Sequence, residues 1–405
     1  MPIRYALIVG ALLTLEQAQA LVLARSHLLA GEAVSVQQAA GRVTAEPAQA
    51  LVDLPPFRSS AMDGFAVRAA DLPGMLPVVA QIAAGRPAKR SLAPGEAMAI
   101  STGGVVPEGA DSVIPIEYVV QHDNTVEIGE AIRAGSNVRP RGGDVAAGDV
   151  IVGAGMRLGP AQVGALAAAG VAAVACARRP RVAILATGSE LASPGDELAP
   201  GQIYESNGLM LAAALATVGA HIDALPVVAD DESAHRAALE RGLAADVLVT
   251  SGGVSVGPHD LVRAIEAELG VEEVFWRVAI KPGKPVSFGV RGETLVFGLP
   301  GNPVSSLVAC ELFVKPALRA LQGQRDPLPR IESGLLAAPL QRNDARDEFV
   351  RARSRLDRDG VMLEPLSGQE SHMIARAAAA DALVHVPRGD GELAAGSRVA
   401  WIRLD

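Results

Sequence analysis

The central third of the chain, from residue 181 to about residue 322, alternates short apolar runs with segments of helical periodicity. The apolar runs lie near residues 182–186, 222–228, 247–250, 274–278 and 294–298. Such runs are typical of strands buried on both faces, because a strand with one face in water alternates apolar and polar residues. Strands that alternate with helices build a doubly wound, mostly parallel sheet. We therefore predict an α/β domain whose ligands bind beyond the carboxyl ends of its strands.

The segments on either side of this region predict further domains. Residues 14–55 have a helical pattern that stops at Pro55 and Pro56, and short β-like runs then continue to about residue 150. A helical pattern returns at 159–170, and short strands follow the linker-like segment 323–330. The predicted parts are an elongated helical segment (residues 14–56 and 143–178), an inserted β module (57–142), the α/β domain (179–325) and a C-terminal β-barrel-like domain (330–405).

The N-terminus permits two interpretations. An apolar run over residues 5–13 and the triplet Ala18-Gln19-Ala20 imitate a secretory signal with its cleavage site. Thr14 and Gln17, however, have the spacing of a capping box, and helical periodicity continues through the triplet. We favour a helix, and a cytoplasmic protein with a short N-terminal extension. Gly, Pro or charged residues interrupt every later apolar stretch, so we predict no membrane span.

Composition excludes several classes of protein. The formal net charge of −9, with both signs interspersed, argues against nucleic acid or an acidic membrane as a partner. Any anionic ligand must then be held by a local site. The two cysteines lie far apart in apolar sequence, and the seven histidines form no HExxH pair, which leaves no disulfide framework and no Cys or His zinc motif.

Three loops of similar composition follow strands of the α/β domain. They are ATGSEL (186–191), TSGGVSVGPHD (250–260) and GLPGNPVS (298–305). Glycines let a backbone approach a ligand closely, and free N–H groups at the start of a helix attract anions, so phosphate is the expected guest. Neither a P-loop nor a GxGxxG dinucleotide motif is present. One such loop alone is also compatible with an ordinary tight connection between a strand and a helix.

Lysine is rare in this chain, and its positions are informative. Only four of the 36 basic residues are lysines, and two of them, Lys281 and Lys284, lie in the proline-stiffened loop IKPGKP (280–285). Ammonium groups are compact point charges suited to phosphates and oxyanions. We predict an oxyanion site at this loop, with two solvated surface lysines as the alternative.

Carboxylates occur in the same loops. Glu190, Asp230, Asp231 and Asp260 would repel an anionic ligand unless a divalent cation lay between them, and Mg²⁺ commonly binds carboxylates together with substrate phosphates. We therefore predict Mg²⁺ or a similar divalent cation. Helix N-capping is the alternative role for Asp231 and Asp260.

The combination of motifs closely resembles the MoeA family, the molybdopterin molybdenumtransferases, to which the E domain of gephyrin also belongs. The strings that carry the resemblance, in chain order, are DLPPFRSSAMDGFAV, STGGVVPEGADSVIPIE, ATGSEL with GDELAPGQIYESN, TSGGVSVGPHD, KPGKPVSFG and GLPGNPVSS. The resemblance implies a molybdopterin-binding fold for the α/β domain. It also implies a reaction in which molybdate and adenylylated molybdopterin give molybdenum cofactor and AMP, with help from a divalent cation.

The resemblance further implies a homodimer with an active site at the subunit interface, and transient contact with adenylylating and cofactor-accepting proteins. Arg351 and Ser371 match positions that the family associates with molybdate. The expected catalytic residues are Asp63, Thr102, Asp144, Glu190, Asp230 and Asp260, of which Glu190, Asp230 and Asp260 are expected to hold the cation. The expected substrate-binding residues are Ser251, Gly252, Gly253, Ser255, Lys281, Lys284, Pro300, Gly301, Asn302, Ser305, Arg351 and Ser371.

The chain departs from the family pattern at three positions. Gly143 stands where Glu is common, Ser101 where Met or Phe is usual, and His372 where Ser is common. Two other functions remain open. Adenylylation of molybdopterin is carried out by relatives that share the α/β domain alone, and their shorter length argues against it. A non-catalytic molybdopterin-binding scaffold predicts eroded acids and lysines, which are intact here.

Overall fold

The computed structural model describes residues 12–228, 231–253, 261–358 and 360–404. No helix within these ranges is long and apolar enough to cross a bilayer. The α-helices in the described ranges are Leu15–Arg25, Pro160–Ala168, Asn207–Ala216, Glu232–Gly242, Leu261–Glu268, Pro303–Ala309, Lys315–Leu321 and Ile374–Ala377, with a π-helical turn at Cys310–Val314 and 3-10 turns at Val36–Gln38, Ala69–Asp71 and Ile116–Tyr118.

A six-stranded sheet forms the centre of the α/β domain. Its spatial order is His221–Ala224, Arg181–Ala186, Val247–Ser251, Thr294–Leu299, Ser287–Arg291 and Glu272–Trp276. The first four strands are parallel, as predicted. Strand Ser287–Arg291 runs antiparallel to both of its neighbours, Thr294–Leu299 and Glu272–Trp276. Only two residues connect Ser287–Arg291 to Thr294–Leu299, which is too few for a crossover connection, so these two strands pair as a hairpin.

Both faces of this sheet are buried, which explains the apolar runs in the sequence. Val249 and Phe297 point to a core shared with helices Asn207–Ala216 and Pro303–Ala309. Leu248 and Val296 point to the opposite core. Successive strand residues alternate between two helical layers, so neither face can be polar.

The N-terminal helix begins where the capping box predicted. Thr14 is its N-cap, accepting from the Gln17 amide, and the Gln17 side chain accepts from the Thr14 amide in return. The helix continues through the triplet Ala18-Gln19-Ala20. Its residues Leu15, Ala18 and Val22 are buried in the core of the central sheet.

The expectation that residues 14–55 are helical is wrong beyond Arg25. Gly31–Ser35 pairs with Ala173–Ala177, and Ala48–Gln49 pairs with Val150–Val152. Val34 is the buried residue of the first of these strands, and the other four residues of that strand are exposed. Short paired strands therefore make up much of the segment predicted to be helical.

The inserted β module contains a six-stranded sheet, as predicted. Its spatial order is Ser112–Pro115, Gly64–Val67, Ala97–Ile100, Gly74–Ile82, Thr125–Ile128 and Val120–Gln121. Gly64 is required because a Cβ there would lie 1.9 Å from the carbonyl oxygen of Ile114. A separate pair, Ser59–Ser60 with Val138–Arg139, joins the two ends of the module.

The C-terminal region forms a closed barrel of five strands, consistent with the predicted β-barrel-like domain. Its strands are Asp347–Asp357, Gly360–Pro365, Ile331–Leu336, Arg398–Arg403 and Ala382–Val386, the last of which pairs back to the first. Trp401 and Leu363 are buried in its interior. Further two-stranded pairs are Leu191–Ala192 with Ile203–Tyr204 and Leu340–Gln341 with Glu392–Leu393. The domain boundaries drawn from the sequence stay a prediction.

An ion pair fixes the start of the strand Val247–Ser251. Both Asp246 carboxylate oxygens accept from the Arg178 guanidinium, at 2.6 and 2.7 Å, and one accepts from the Arg181 amide at 2.8 Å. Burial raises the pKa of Asp246, but these hydrogen bonds outweigh burial, and the net pKa is lower than the ordinary value of 3.8.

We expect Asp246→Asn to lower the free energy of unfolding by about 2 kcal/mol at pH 7, because bonds to a charged acceptor are lost. The folded-state pKa is depressed, so the contribution of the carboxylate is present above 3.8 and is lost as pH falls through the folded-state pKa. Urea unfolding at pH 7 and pH 3 measures the free energy of unfolding of both proteins. The gap in this free energy between wild type and Asp246→Asn should be smaller at pH 3. Asp223→Asn, at an exposed strand position, is the matched control. An equal difference at both pH values would contradict the assignment.

Candidate functional site

Three parallel strands end side by side and bring the three glycine-containing loops together. The register places Ala186 opposite Ser251, and Ser251 opposite Leu299. The Thr187 amide donates to the Ser251 carbonyl at 3.2 Å, and the Gly252 amide donates to the Leu299 carbonyl at 3.1 Å. The loops that begin here therefore share one edge of the sheet, as predicted.

Asn207, at the start of helix Asn207–Ala216, connects two of these loops. Its Nδ2 donates to Ser251 Oγ at 2.9 Å and to the Gly301 carbonyl at 2.7 Å. Asn207 was not among the expected site residues, although it ends the string GDELAPGQIYESN, which carries part of the family resemblance. The side chain sets the spacing of the loops.

Gly252 allows the loops to lie against each other. Its φ is +98°, and a Cβ there would lie 3.0 Å from the Thr187 carbonyl oxygen and 3.1 Å from Thr187 Oγ1. A side chain at this position would be strained and would press on the neighbouring loop.

A cavity of about 480 Å³ lies at this edge of the sheet; we call it the glycine-loop cavity. Of the predicted residues it contains Glu190, Ser251, Gly252, Gly253, Gly301 and Asn302. Its lining also includes Glu205, Asn207, His235, His372 and Ile374, which were not among the expected site residues. His372 and Ile374 come from the C-terminal part of the chain, so two regions build this cavity.

A second cavity of about 300 Å³ lies beside the lysine loop; we call it the lysine-loop cavity. The predicted residues Lys281, Lys284, Pro300, Asn302, Ser305 and Ser371 line it, together with Arg346, Glu348, Phe349, Gln369 and Glu370. The structure therefore brings together residues from three distant stretches of sequence that were expected to act together.

The two lysines of this loop have different surroundings. Lys281 Nζ lies 3.0 Å from Glu348 Oε1, and the short strand Ile280–Lys281 pairs with the barrel strand at Asp347 and Glu348. Lys284 makes no ion pair within the described ranges. The Lys284 ammonium is therefore available to an anionic ligand, as is the Arg346 guanidinium on the same wall, whereas Lys281 is partly neutralised.

Asn302 belongs to the walls of both cavities. Its Nδ2 donates to Ser371 Oγ at 2.9 Å, and the Val304 amide donates to the Ser371 carbonyl at 3.0 Å. These bonds join the loop of the α/β domain to the C-terminal loop that carries Ser371. A thin polar partition separates the two cavities.

Arg351 lies beneath the Ser371 loop and does not line either cavity. The residue is only 1% exposed, and its guanidinium donates to the carbonyls of Gly368, Glu370 and Met373 at 2.8 to 3.2 Å. Burial lowers the pKa of Arg351. In the described chain Arg351 therefore supports the loop that presents Ser371.

The predicted residues Asp63 and Thr102 of the β module, and Asp144 just after it, lie outside both cavities. The Thr102 amide donates to Asp63 Oδ1 at 2.9 Å, and the Asp144 amide donates to the Leu54 carbonyl at 2.9 Å. Neither cavity contains Asp63, Thr102 or Asp144. Within one chain, these three residues therefore do not take part in the lining of either cavity.

The acidic residues expected to hold a cation are only partly described. Glu190 lines the glycine-loop cavity, whereas Asp230, Asp260 and Ser255 lie outside the described residues. Asp231 is a helix N-cap, accepting from the Ala234 amide at 2.8 Å, as its alternative role required. Across the described ranges, no three His, Cys, Asp or Glu side chains converge as a metal site.

We expect Arg351→Lys to loosen the Ser371 loop, because one ammonium cannot replace the donors that reach three carbonyls. Hydrogen exchange of amides 368–373 should become about tenfold faster. Arg353→Lys, at an exposed position of the same strand, is the control and should leave this exchange unchanged. Unchanged exchange in Arg351→Lys would show that the loop holds itself.

Family models match nearly the whole chain. Residues 13–170 match the MoeA N-terminal region (domains I and II), residues 183–320 match a probable molybdopterin binding domain, and residues 333–404 match the MoeA C-terminal region (domain IV). These matches follow the order of regions found in the structure.

Known proteins and structures agree with these models. Molybdopterin molybdenumtransferase 2 of Mycobacterium tuberculosis is 39% identical, over 90% of this chain and 93% of that protein. Molybdopterin molybdenumtransferase of Haemophilus influenzae is 34% identical, over 96% of this chain and 98% of that protein. A crystal structure of the MoeA protein from Pyrococcus horikoshii has a TM-score of 0.80 at 32% identity, covering 97% of this chain and 99% of that one. With these matches across all its regions, the chain belongs to the MoeA family.

Proposed function

We propose that this protein is a molybdopterin molybdenumtransferase, which converts molybdate and adenylylated molybdopterin into molybdenum cofactor and AMP. The observation that carries the proposal is the pair of adjoining cavities separated by Asn302 and Ser371. One has the size of a site for an organic phosphate, and the other has the size and charge of a site for a small oxyanion. Their shared wall would bring the two substrates together.

The glycine-loop cavity suits the phosphate-bearing substrate. Its volume of about 480 Å³ falls within the usual range for ligand pockets. The main chain at Gly252, Gly253 and Gly301 lets a phosphate approach closely, because no side chain intervenes. The Asn207 amide, bonded to Ser251 and Gly301, would keep the loops in position while the substrate is bound.

The lysine-loop cavity suits molybdate. Lys284 would provide the positive charge, and the hydroxyls of Ser305 and Ser371 would donate hydrogen bonds to a tetrahedral oxyanion. Lys281 would act less directly, since Glu348 already lies 3.0 Å from its ammonium group. Arg351 would contribute by holding the loop that presents Ser371.

A divalent cation such as Mg²⁺ would offset the negative charge of the phosphate that leaves as AMP. Glu190 would provide a carboxylate from the wall of the glycine-loop cavity, and Asp230 and Asp260 remain candidates from the sequence. Mg²⁺ is commonly held by one or two carboxylates together with substrate phosphates, so a complete protein cage is not required.

The site would be completed by a second copy of the chain. Asp63, Thr102 and Asp144 lie on or near the β module, away from both cavities of their own chain. A homodimer in which the β module of one subunit faces the α/β domain of the other would add these residues to the cleft. We propose this arrangement, and a cytoplasmic location for the enzyme.

The experiment that tests the function measures AMP release from adenylylated molybdopterin by the purified protein, with and without molybdate and Mg²⁺. Reactivation of a cofactor-free molybdoenzyme is measured in the same reaction. AMP release that requires molybdate and gives active cofactor would support the proposal. Adenylylation of molybdopterin with ATP would favour the adenylyltransferase, and binding without release would favour a scaffold.

We expect Lys284→Gln to raise the molybdate concentration for half-maximal AMP release on the order of tenfold or more, because a charge-assisted contact is lost. Affinity for the adenylylated pterin should change by no more than about twofold, since Lys284 does not line the glycine-loop cavity. Lys89→Gln, an exposed lysine of the β module, is the control. Equal loss of affinity for both substrates would contradict the assignment of Lys284 to molybdate.

Mixing two impaired variants tests the shared site, provided that molybdate is kept too low for Lys284→Gln alone to release AMP at an appreciable rate. Asp63→Asn and Lys284→Gln would affect opposite halves of each site, so mixed dimers would keep one intact site of two. Unfolding and refolding an equal mixture should restore about a quarter of wild-type activity, because half of the dimers are mixed. Activity no greater than that of either variant alone would place both residues in the same half.

A further inference from the structure

One histidine in the wall of the glycine-loop cavity has no role in the function described so far. His235 lies on helix Glu232–Gly242, is only 2% exposed, and lines the cavity together with Leu261 and Val262. A polar side chain buried to this extent normally has its hydrogen-bonding groups satisfied. The partners of its two ring nitrogens therefore decide what it can do.

The first ring nitrogen is occupied by the main chain. Nδ1 lies 2.8 Å from the carbonyl oxygen of Asp231, one turn earlier in the same helix. A carbonyl only accepts, so Nδ1 carries the proton in this bond. In the neutral ring, Nε2 then has a lone pair and is an acceptor.

The second ring nitrogen has no hydrogen-bond partner within the described ranges, so its lone pair is unused there. His235 lines the glycine-loop cavity, so a ligand in that cavity would lie beside the imidazole ring.

The surroundings define which ligand group fits. Leu261 and Val262 add an apolar surface to the same wall, and the carboxylates of Glu190 and Glu205 are acceptors when charged; the other titratable side chains of the lining are Tyr204 and His372. A phosphate oxygen facing Nε2 would meet a lone pair. A flat heteroaromatic ring with an N–H group at its edge would match both the apolar surface and the acceptor.

We infer that His235 is a substrate-recognition residue, whose Nε2 accepts a hydrogen bond from an N–H group on a heteroaromatic ring of the substrate. The inference rests on the proposed function and extends it to a residue outside the expected site. Adenylylated molybdopterin offers two sources of this chemistry, the amino group of adenine and the N–H groups of the pterin. The test distinguishes them.

Two variants separate recognition from structure. The amide of Asn reaches the position of Nδ1, so His235→Asn keeps a donor for the Asp231 carbonyl and removes the acceptor at Nε2. The longer side chain of Gln reaches the position of Nε2, so His235→Gln keeps an acceptor in the cavity. A purely structural histidine would be replaced better by Asn, and a recognition residue better by Gln.

The measurement is binding of three ligands to the full chain: AMP, purine riboside 5′-monophosphate, which lacks the amino group, and molybdopterin that is not adenylylated. If adenine is the source, wild type should prefer AMP over the purine analogue on the order of tenfold. His235→Asn should lose this preference and His235→Gln should keep it. If the pterin is the source, His235→Asn should weaken molybdopterin binding by a similar factor and leave the preference among nucleotides unchanged.

Unaltered binding of all three ligands by His235→Asn would overturn the inference and leave the proposed function standing. Equal weakening of AMP and its purine analogue, with molybdopterin unaffected, would also overturn it, since the contact would then not involve an N–H group of either ring. Failure of wild type to bind either AMP or molybdopterin would overturn the proposed function and this inference together.

Discussion

The in-register pairing of three parallel strands is the constraint on which the site depends. Main-chain hydrogen bonds align the ends of Arg181–Ala186, Val247–Ser251 and Thr294–Leu299, and burial on both faces prevents them from slipping. The loops that follow these strands must therefore all begin at the same edge of the sheet. Glycine at position 252 and the Asn207 amide then set how closely the loops lie, within a frame that the strands have already fixed.

The smaller cavity depends on a second contact, between the α/β domain and the C-terminal barrel. The short strand Ile280–Lys281 joins the barrel sheet at Asp347 and Glu348, and Ser371 bonds to Asn302. Each domain thus supplies groups that the other lacks, a lysine loop from one and a serine loop from the other. Neither domain alone would supply all the groups that line this cavity.

Much of this organisation was readable from the sequence because it depends on local patterns. Apolar runs alternating with helices predicted the parallel strands, and Thr14 with Gln17 predicted the start of the first helix. The glycine and lysine loops were found for a similar reason, since unusual residue types mark backbone approach and charge. The prediction of a helix beyond Arg25 was wrong because the short strands there are fixed by pairing with residues 101 to 146 positions later, which no local pattern records.

The roles of individual side chains were harder to predict than their presence. Arg351 was expected as a ligand-binding residue, and the family's motif gave its position but not its burial beneath the Ser371 loop. Asn207 ends one of the strings that carry the family resemblance, whereas His235 has ordinary sequence surroundings, and the role of each becomes clear only when the fold shows that one faces two loops and the other a cavity. Tertiary proximity, which a single sequence does not contain, made the difference.

Asn302, which lines both cavities, couples ligand binding in one cavity to ligand binding in the other. Its side-chain amide donates to the Ser371 hydroxyl, and Asn302 is the N-cap residue of the helix that begins at Pro303 and lines both cavities, so a ligand in either cavity acts on the same few atoms. Any factor by which an occupant of one cavity alters affinity in the other must operate equally in the reverse direction. The order in which the two substrates bind then depends on their concentrations and binding rates. When one substrate is scarce and its cavity is empty, the affinity of the other cavity for its own substrate differs by that same factor.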